Sequence, residues 1–326
     1  MPIKLPSIVA AVALVASGMT MLPAVQADDS FPRKPLRIIV PYPPGGSNDL
    51  LSRFLGVKLT DRLKQQVIID NRGGANGIIG THLAAQASAD GYNLLIVSIS
   101  FTMNAAVHKL PYDIDKDFDL IATIGKSPNS VVVNPGWGVK TVKELVARAK
   151  AKPGSIAYAS TGVGGFNHFG GELFKKVTGV DLLHVPYKGG GPAIVDTIAG
   201  QVPMMFSSLT QILPHVRSGR LNIVAIGARE RSAVVPDVPT MIESGYPGYE
   251  MYVWWGFAAP HGVPKPVLTR LRQEFRAILN DPATQKRLEL EAAQPMDLNP
   301  AEFRNLIQAE RRKWTGVAKS AGIAAN

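Results

Sequence analysis

Residues 36–49 read Leu36-Arg37-Ile38-Ile39-Val40-Pro41-Tyr42-Pro43-Pro44-Gly45-Gly46-Ser47-Asn48-Asp49, an apolar run, a Pro/Gly turn and the start of a helical pattern. Leucines at positions 51, 55, 59 and 63 recur at every fourth residue, which predicts a helix near 47–64 with one buried stripe. A strand, a tight turn and a helix in this order point unpaired backbone N–H groups and the positive end of the helix dipole at one spot. Such a turn can hold an anion without a buried cation.

The same arrangement occurs a second time. The second copy is Ile156-Ala157-Tyr158-Ala159-Ser160-Thr161-Gly162-Val163-Gly164-Gly165-Phe166-Asn167-His168. Two such units, about 120 residues apart, are typical of two domains that face each other across a cleft, with the ligand outside the carboxyl ends of the strands.

Short apolar runs alternate with amphipathic stretches, which predicts an α/β fold of mixed, mostly parallel sheets flanked by helices. Strands are expected at Leu36–Tyr42, Gln66–Asp70, Asn93–Ser98, Leu120–Ile124, Ser130–Asn134, Ser155–Ser160, Leu182–Val185, Pro203–Ser208, Leu221–Gly227 and Trp254–Ala259. Helices are expected near 47–64, 77–88, 141–151, 166–177, 190–199, 210–218, 265–279 and 299–320.

Two domains are expected, and the first is discontinuous. It would comprise residues 28–125 and 251–326, and the second residues 126–250. The chain would cross between them near Ile124–Ser130 and again near Gly248–Trp254.

The N-terminus has the pattern of an export signal. Lys4 precedes an apolar run from Leu5 to about Leu22, and Val25-Gln26-Ala27 offers small residues for cleavage. We therefore expect a signal peptide over residues 1–27, cleavage near Ala27 and a periplasmic location. A membrane anchor is the alternative, but small and polar residues make the run short for a span of about 20 apolar residues.

Composition narrows the classes of function. Lys and Arg total 35 against 25 Asp and Glu, a net charge of +10, which favours anionic solutes. The longest basic run, Arg311-Arg312-Lys313, fits a solvated helix face better than a nucleic-acid site, so no nucleic-acid partner is expected. Cysteine is absent, so disulfides and thiolate chemistry are excluded.

Sequence motifs of common enzymes are missing. The chain has no Gly-x-Ser-x-Gly elbow and no P-loop, and Gly162-Val163-Gly164-Gly165 has Asn167 where a dinucleotide fingerprint needs its last glycine. The six histidines show no His-Glu-x-x-His spacing. We therefore expect no enzyme, no catalytic residue, no metal and no cofactor.

The candidate ligand-binding residues lie in the glycine turns and at the carboxyl ends of strands, where backbone and hydroxyl donors can reach a shared ligand. They are Tyr42, Pro44, Gly45, Gly46, Ser47, Asn76, Ser98, Ser160, Thr161, Gly164, Gly165, His168, Tyr187, Lys188, Asp196 and Ser207.

Several of these positions have a structural alternative. Ser47 or Asn48 is expected to cap the first helix. Asp49, in the first turn and four residues before Arg53, is expected to be structural. His168 at a helix start is more often structural than a ligand partner. Three alternatives stay open for Lys188: it contacts the ligand, it pairs with Asp196, or it is solvated.

Several blocks in fixed order resemble one known family, from about residue 33 to the C-terminus. They are Ile39-Val40-Pro41-Tyr42-Pro43-Pro44-Gly45-Gly46 with Asp49, Asp70-Asn71-Arg72-Gly73-Gly74-Ala75-Asn76-Gly77-Ile78-Ile79-Gly80, Ala89-Asp90-Gly91-Tyr92, Tyr158-Ala159-Ser160-Thr161-Gly162 to His168, Val185-Pro186-Tyr187-Lys188-Gly189, Ala199-Gly200-Gln201-Val202 and Pro236-Asp237-Val238-Pro239-Thr240. They resemble the substrate receptors of tripartite tricarboxylate transporters, also called Bug-type receptors.

The resemblance implies a two-domain periplasmic binding protein with a Venus-flytrap, type II-like fold and no catalysis. It also implies a small organic acid ligand (a di- or tricarboxylate, an acidic amino acid or an aromatic acid), delivered to the membrane permease subunits of a tripartite transporter. A second interpretation stays open, in which the closed receptor signals to a partner such as a sensor kinase. Residues in the cleft cannot separate transport from signalling.

Overall fold

The computed structural model describes residue 1 and residues 31–323, and it confirms the α/β class. The predicted signal and its cleavage point near Ala27 lie outside the described residues, apart from Met1. Within the described ranges, no helix is long and apolar enough to cross a membrane.

Residues 31–323 form ten strands and ten α-helices, which mostly alternate. The strands are β1 (Leu36–Val40), β2 (Val67–Asn71), β3 (Asn93–Ser98), β4 (Phe118–Val133), β5 (Ala157–Ser160), β6 (Leu183–Pro186), β7 (Met204–Ser208), β8 (Asn222–Ile226), β9 (Tyr252–Pro260) and β10 (Gln294–Pro295). The helices are α1 (Ser47–Leu63), α2 (Ile78–Ala85), α3 (Ile99–Val107), α4 (Val142–Ala151), α5 (Phe166–Thr178), α6 (Gly190–Ile198), α7 (Leu209–Arg217), α8 (Lys265–Leu279), α9 (Pro282–Leu290) and α10 (Pro300–Ala321).

The strands form one mixed sheet in the order β2-β1-β3-β9-β4-β7-β5-β6, with β8 and β10 also paired to β4. Pairs at the two ends are parallel, namely β1 with β2 and β3, and β5 with β6 and β7. The middle pairs are antiparallel, namely β3 with β9, β9 with β4 and β4 with β7. Parallel strands at each end bring the helices that follow them to a common edge.

Strand β4 joins the two ends of the sheet. Its residues Phe118–Pro128 pair with β9, whereas Asn129–Val133 pair with β7 and β8. The sequence predicts two strands here, at Leu120–Ile124 and Ser130–Asn134, but the structure has one. The intervening residues Gly125–Pro128 continue the pairing with β9, after register shifts between Leu120 and Ala122 and between Thr123 and Gly125, so the strand does not end.

Hydrophobic burial agrees with the predicted patterns. Leu51, Leu55 and Leu59 are completely buried and Leu63 nearly so, which confirms the buried stripe of α1. Around β4, β5 and β7 the apolar side chains form two clusters, one centred on Phe174 and Phe206 and the other on Met205. Both faces of this part of the sheet are therefore covered, as parallel strands require.

Three elements were not predicted. Helix α3 follows β3 directly, although Ser98-Ile99-Ser100-Phe101-Thr102 alternates like a strand, and its N-cap is Ser98. The others are α9, which starts at Pro282 with Asp281 as its cap, and the two-residue strand β10. Tertiary packing overrides local preference at α3, because all residues from Ile99 to Asn104 are buried.

Candidate functional site

One cavity lies where five strand-to-helix junctions meet, those of β1–α1, β3–α3, β5–α5, β6–α6 and β7–α7. The cavity is partly open to solvent, and the volume available to the centres of water-sized molecules is about 40 Å³. Its lining consists of Tyr42, Gly46, Ser47, Asn48, Ser98, Ser100, Thr161, Phe166, Asn167, Gly190, Ser208, Gln211 and Val253. The first loop (residues 41–46) and the second loop (residues 161–165) therefore contribute to one cavity.

Four of the five helices that begin at the cavity keep backbone donors available there. Helices α1, α3, α5 and α6 have Gly46, Ser98, Gly165 and Gly189 as N-caps, and no cap side chain bonds their first turns. The fifth, α7, is capped by the Ser208 hydroxyl, which accepts the Gln211 N–H. Helices α4, α9 and α10, which start elsewhere, are also capped by the side chains of their N-cap residues. The uncapped N–H groups and the positive dipole ends favour an anion at the cavity.

Charged side chains do not line the cavity in the part of the chain that the structure describes; the polar lining is made of hydroxyl, amide and backbone groups. Burial raises the pKa of Tyr42 to about 12, so its phenol stays protonated at neutral pH. That hydroxyl donates to the Asn76 carbonyl at 3.0 Å. The site therefore offers many donors and no formal charge, which suits a small anion.

Five of the sixteen predicted residues line the cavity: Tyr42, Gly46, Ser47, Ser98 and Thr161. The other eleven lie outside its lining. They are Pro44, Gly45, Asn76, Ser160, Gly164, Gly165, His168, Tyr187, Lys188, Asp196 and Ser207.

The first loop is held by Asp49. The Asp49 carboxylate accepts the Gly45 N–H at 3.0 Å, the Asn71 amide at 3.0 Å and the Arg53 guanidinium at 3.1 Å. Burial alone would raise the pKa of Asp49, but these hydrogen bonds and the Arg53 charge together lower it. The structural role expected for Asp49 is confirmed. The expected cap from Ser47 or Asn48 is wrong, because Gly46 is the N-cap.

Replacement of Asp49 by Asn should lower the free energy of unfolding by about 1–3 kcal/mol, because a buried amide cannot accept all three donors. Urea denaturation measures the change. Asp61→Asn, on the exposed face of the same helix, should stay within about 0.5 kcal/mol of wild type. Equal effects of the two variants would show that Asp49 does not anchor the loop.

A buried polar cluster supports the second loop. His168 is 7% exposed, and its Nδ1 accepts the Gly164 N–H at 3.1 Å. Its ring stacks on His184 at 4.0 Å, and the His184 Nε2 bonds the Ser160 hydroxyl. Ser160 in turn accepts the Gly162 N–H. His168 and Ser160 therefore support the loop by hydrogen bonds outside the cavity lining, which favours the structural alternative for His168.

Both histidines are neutral in the folded protein. Burial lowers the pKa of His168 and of His184 to about 4. The Lys175 charge adds to both shifts, and the mutual repulsion of the rings adds to that of His184, while Glu172 opposes it.

Stability should therefore fall on acidification. Unfolded histidine titrates near 6.5, so between about pH 6.5 and 4 the unfolded chain binds more protons than the folded one, and the free energy of unfolding drops. At pH 5 the loss should be on the order of 1–2 kcal/mol for each imidazole. Denaturation at pH 7.5 and pH 5 tests this. The double variant His168→Asn, His184→Gln should have a flatter pH profile, and an unchanged profile would contradict the assignment.

The third glycine turn carries a local side-chain pair. The Tyr187 hydroxyl donates to Asp196 at 2.9 Å, and Lys188 is exposed. Asp196 therefore pairs with Tyr187, whereas the sequence analysis considered a pair with Lys188. Ser207 lies behind the cavity and donates to the Gln211 Oε1 at 3.3 Å. Asn76 bonds Asn104 and receives the Thr161 hydroxyl at 3.4 Å, which joins the turn at 74–77 to the second loop.

The cavity also contains residues outside the predicted set. Ser100 and Ser208 stand at or just after predicted strand ends, and Phe166 is the first residue of the helix predicted near 166–177, so the sequence indicated their position. The others are Asn48, Asn167, Gly190, Gln211 and Val253. Gln211 lies inside α7, in a helical pattern without any distinguishing local signal.

Comparison with known proteins places the chain among periplasmic receptors. A model of the tripartite tricarboxylate transporter family receptor matches residues 51–323. Protein BugT of Bordetella pertussis is 36% identical over 297 residues, which cover 90% of this chain and 91% of BugT.

Solved structures agree with this relationship. The periplasmic binding protein BugD is similar with a TM-score of 0.87 and 32% identity, over 91% of this chain and 100% of BugD. Rpa4515 of R. palustris, solved with adipate, is similar with a TM-score of 0.88 and 30% identity, over 91% of this chain and 100% of Rpa4515. These neighbours have the fold of periplasmic binding proteins, a non-enzymatic class of solute receptors. The chain belongs to the receptor family of the tripartite tricarboxylate transporters.

Proposed function

We propose that this protein is a periplasmic receptor that binds a small carboxylate in the cavity and delivers it to the membrane permease subunits of a tripartite transporter. The observation that carries the proposal is the convergence of four uncapped helix N-termini on one cavity whose described lining has no charged side chain. Backbone and neutral donors can balance a carboxylate there without a fixed ion pair.

The expected affinity follows from these donors. Each hydrogen bond to a carboxylate contributes about 1.5–3 kcal/mol, and each helix dipole roughly 0.3–1 kcal/mol. Two or three such bonds, after the cost of ordering ligand and side chains, are consistent with micromolar binding. The adipate found in Rpa4515 supports a carboxylate as the ligand class.

The proposal includes two lobes, residues 28–125 with 251–326 and residues 126–250, with a hinge where β4 changes partners between Pro128 and Asn129. Contacts between the proposed lobes support a closed form. A Cβ on Gly189 would lie 2.8 Å from the Pro43 ring, and one on Gly191 would lie 3.0 Å from the Pro44 carbonyl. A ligand that touches both lobes would favour this form over an open one by its differential affinity.

Thermal melting with a panel of small acids tests the proposal. At a concentration of about 100 times Kd, a ligand adds about 2.7 kcal/mol to the free energy of unfolding, which should raise Tm by roughly 5 °C or more. Adipate, malate, succinate, aspartate and benzoate form the panel, and succinamide is the uncharged control. A receptor for carboxylates shifts with at least one acid and not with succinamide. No shift with any acid, confirmed by calorimetric titration, would overturn the proposal.

We infer transport as the role, because no observation on the described residues favours the sensor alternative. Delivery is tested by uptake of a radiolabelled acid that raises Tm. Cells that lack either the receptor or the permease should lose that uptake to a similar degree. Uptake that survives loss of the permease subunits would separate the receptor from transport.

A further inference from the structure

Two buried side-chain amide nitrogens at the cavity have no hydrogen-bond partner among the described residues. Asn48 is 5% exposed and Gln211 is 7% exposed, and the Asn48 Nδ2 and Gln211 Nε2 atoms make no hydrogen bond there. Both residues line the cavity. An unpaired buried donor costs about 1–3 kcal/mol. Of the twelve buried side-chain atoms that lack a partner among the described residues, these two belong to residues that line the cavity. A ligand acceptor in the cavity would satisfy both donors.

The Gln211 amide is fixed with its nitrogen toward the cavity. Its Oε1 accepts the Ser207 hydroxyl at 3.3 Å, and its backbone N–H donates to the Ser208 hydroxyl at 3.3 Å. A Cβ on Gly190 would lie only 2.1 Å from the Gln211 Nε2, so the amide occupies space that a glycine leaves free. The nitrogen therefore sits beside the first residue of α6, and a Cβ on Gly46, the N-cap of α1, would lie 4.0 Å from it.

The two amides come from different parts of the sheet. Asn48 is in the first turn of α1, which follows β1, and Gln211 is in the first turn of α7, which follows β7. Strands β1 and β7 lie on opposite sides of β4 in the strand order. A short diacid could therefore place one carboxylate against each amide.

The lining is poorly suited to a ligand ammonium group. Ammonium groups need acceptors, and carboxylates are absent from the lining within the described residues. An amino diacid would bury its positive charge against the positive ends of helix dipoles, which is unfavourable.

We propose that the Asn48 and Gln211 amides are the specificity-determining donors of this receptor, and that its ligand is a short dicarboxylate without an ammonium group. This inference rests on the proposed function and narrows its ligand class. It separates this chain from receptors that take acidic amino acids. The amides would recognise the ligand by donating hydrogen bonds to it, while the helix N-termini balance its negative charge.

Three acids with the same four-carbon skeleton test the ligand class: succinate, malate and aspartate differ only in H, OH or NH₃⁺ at one carbon. Calorimetric titration of the purified protein should give succinate or malate an affinity at least 10-fold higher than that of aspartate. Adipate covers a longer diacid. If aspartate binds as tightly as the best of the other acids, the inference is wrong.

Gln211→Met and Asn48→Leu remove the two donors and keep similar side-chain volumes. Each should weaken binding of the best acid by about 10- to 100-fold, the loss of one hydrogen bond to a charged group. The Tm of ligand-free Asn48→Leu should not fall, because the removed amide nitrogen has no protein partner to lose. Gln211→Met also loses the hydrogen bond from the Ser207 hydroxyl, so a small fall in its Tm is expected. Gln273→Met, on the exposed face of α8, is the matched control and should bind as wild type does. Gln211→Glu places a carboxylate against the ligand and should weaken diacid binding more than Gln211→Met.

Gly190→Ala gives an independent check, because its methyl group would displace the Gln211 amide, whereas a methyl group on Gly316, in α10 and away from the cavity, meets nothing within 4 Å. Gly190→Ala should weaken binding about 10-fold or more, and Gly316→Ala should not. The outcomes separate the two proposals. If no acid of the panel binds wild type, both fall. If an acid binds and the Asn48, Gln211 and Gly190 variants all keep wild-type affinity, this inference falls while the proposed function stands.

Discussion

Gly46→Asp should weaken carboxylate binding by at least about 100-fold while the protein stays as stable as wild type or becomes more stable. Gly46 is the N-cap of α1, with φ −84° and ψ 166°, and no side chain bonds the first turn. Aspartate is a preferred N-cap residue with these backbone angles, and its carboxylate accepts N–H groups of the first turn. The new side chain would occupy the donors that the ligand needs, and its charge would repel the ligand.

The control uses the same position. Gly46→Ala adds a Cβ without collision and leaves the N–H groups free, so its affinity should stay within about 3-fold of wild type. Calorimetric titration and urea denaturation of both variants give affinity and stability separately. Stability need not rise by the full value of a cap, about 0.5–2 kcal/mol, because the Asp49 carboxylate lies one turn away. Wild-type affinity in Gly46→Asp would show that the α1 N-terminus does not bind the anion.

Local patterns predicted the parts of the fold that depend on neighbouring residues. The β1–α1 and β5–α5 units were found because an apolar run, glycines and a helical repeat follow one another within about 30 residues. The same reasoning placed Gly46, Ser47 and Thr161 at the cavity, since strand ends and helix starts meet there. A sequence can therefore predict where backbone N–H groups contact a ligand, because glycine turns mark these positions.

Side-chain recognition was not visible in the same way. His168 and Lys188 are the charged candidates a sequence suggests for an anion, yet His168 is neutral behind the loop and Lys188 is exposed. Gln211 reaches the cavity only because β7 lies next to β4 and α7 turns its first residues toward α6. Such convergence depends on contacts between distant segments, and no local signal reports it. For the same reason, the net charge of +10 did not predict that the described residues lining the cavity are all uncharged.

Trp314→Ala should produce the largest loss of stability, about 3–5 kcal/mol. Trp314 is completely buried in α10, and its ring centroid lies 5.1 Å from that of Phe169 in α5. Its indole N–H donates to Glu310, so the residue fixes the last turns of α10 as well. Helix α10 packs on both α3 and α5, so truncation would leave a cavity where three helices meet.

The same substitution should also weaken ligand binding, because Phe166 and Asn167 at the start of α5 line the cavity and Phe169 is one turn further along the helix. Loosening α5 would misplace the uncapped N-terminus of that helix, so a moderate loss of affinity, about 3- to 10-fold, is expected at temperatures where the variant is folded. Trp314→Phe should restore most of both losses, since it refills the space. Trp137→Ala, at a half-buried position, is the matched control, with a smaller loss of stability and unchanged affinity. If Trp314→Ala and Trp137→Ala lose equal stability, the contact of α10 with α5 does not support the site.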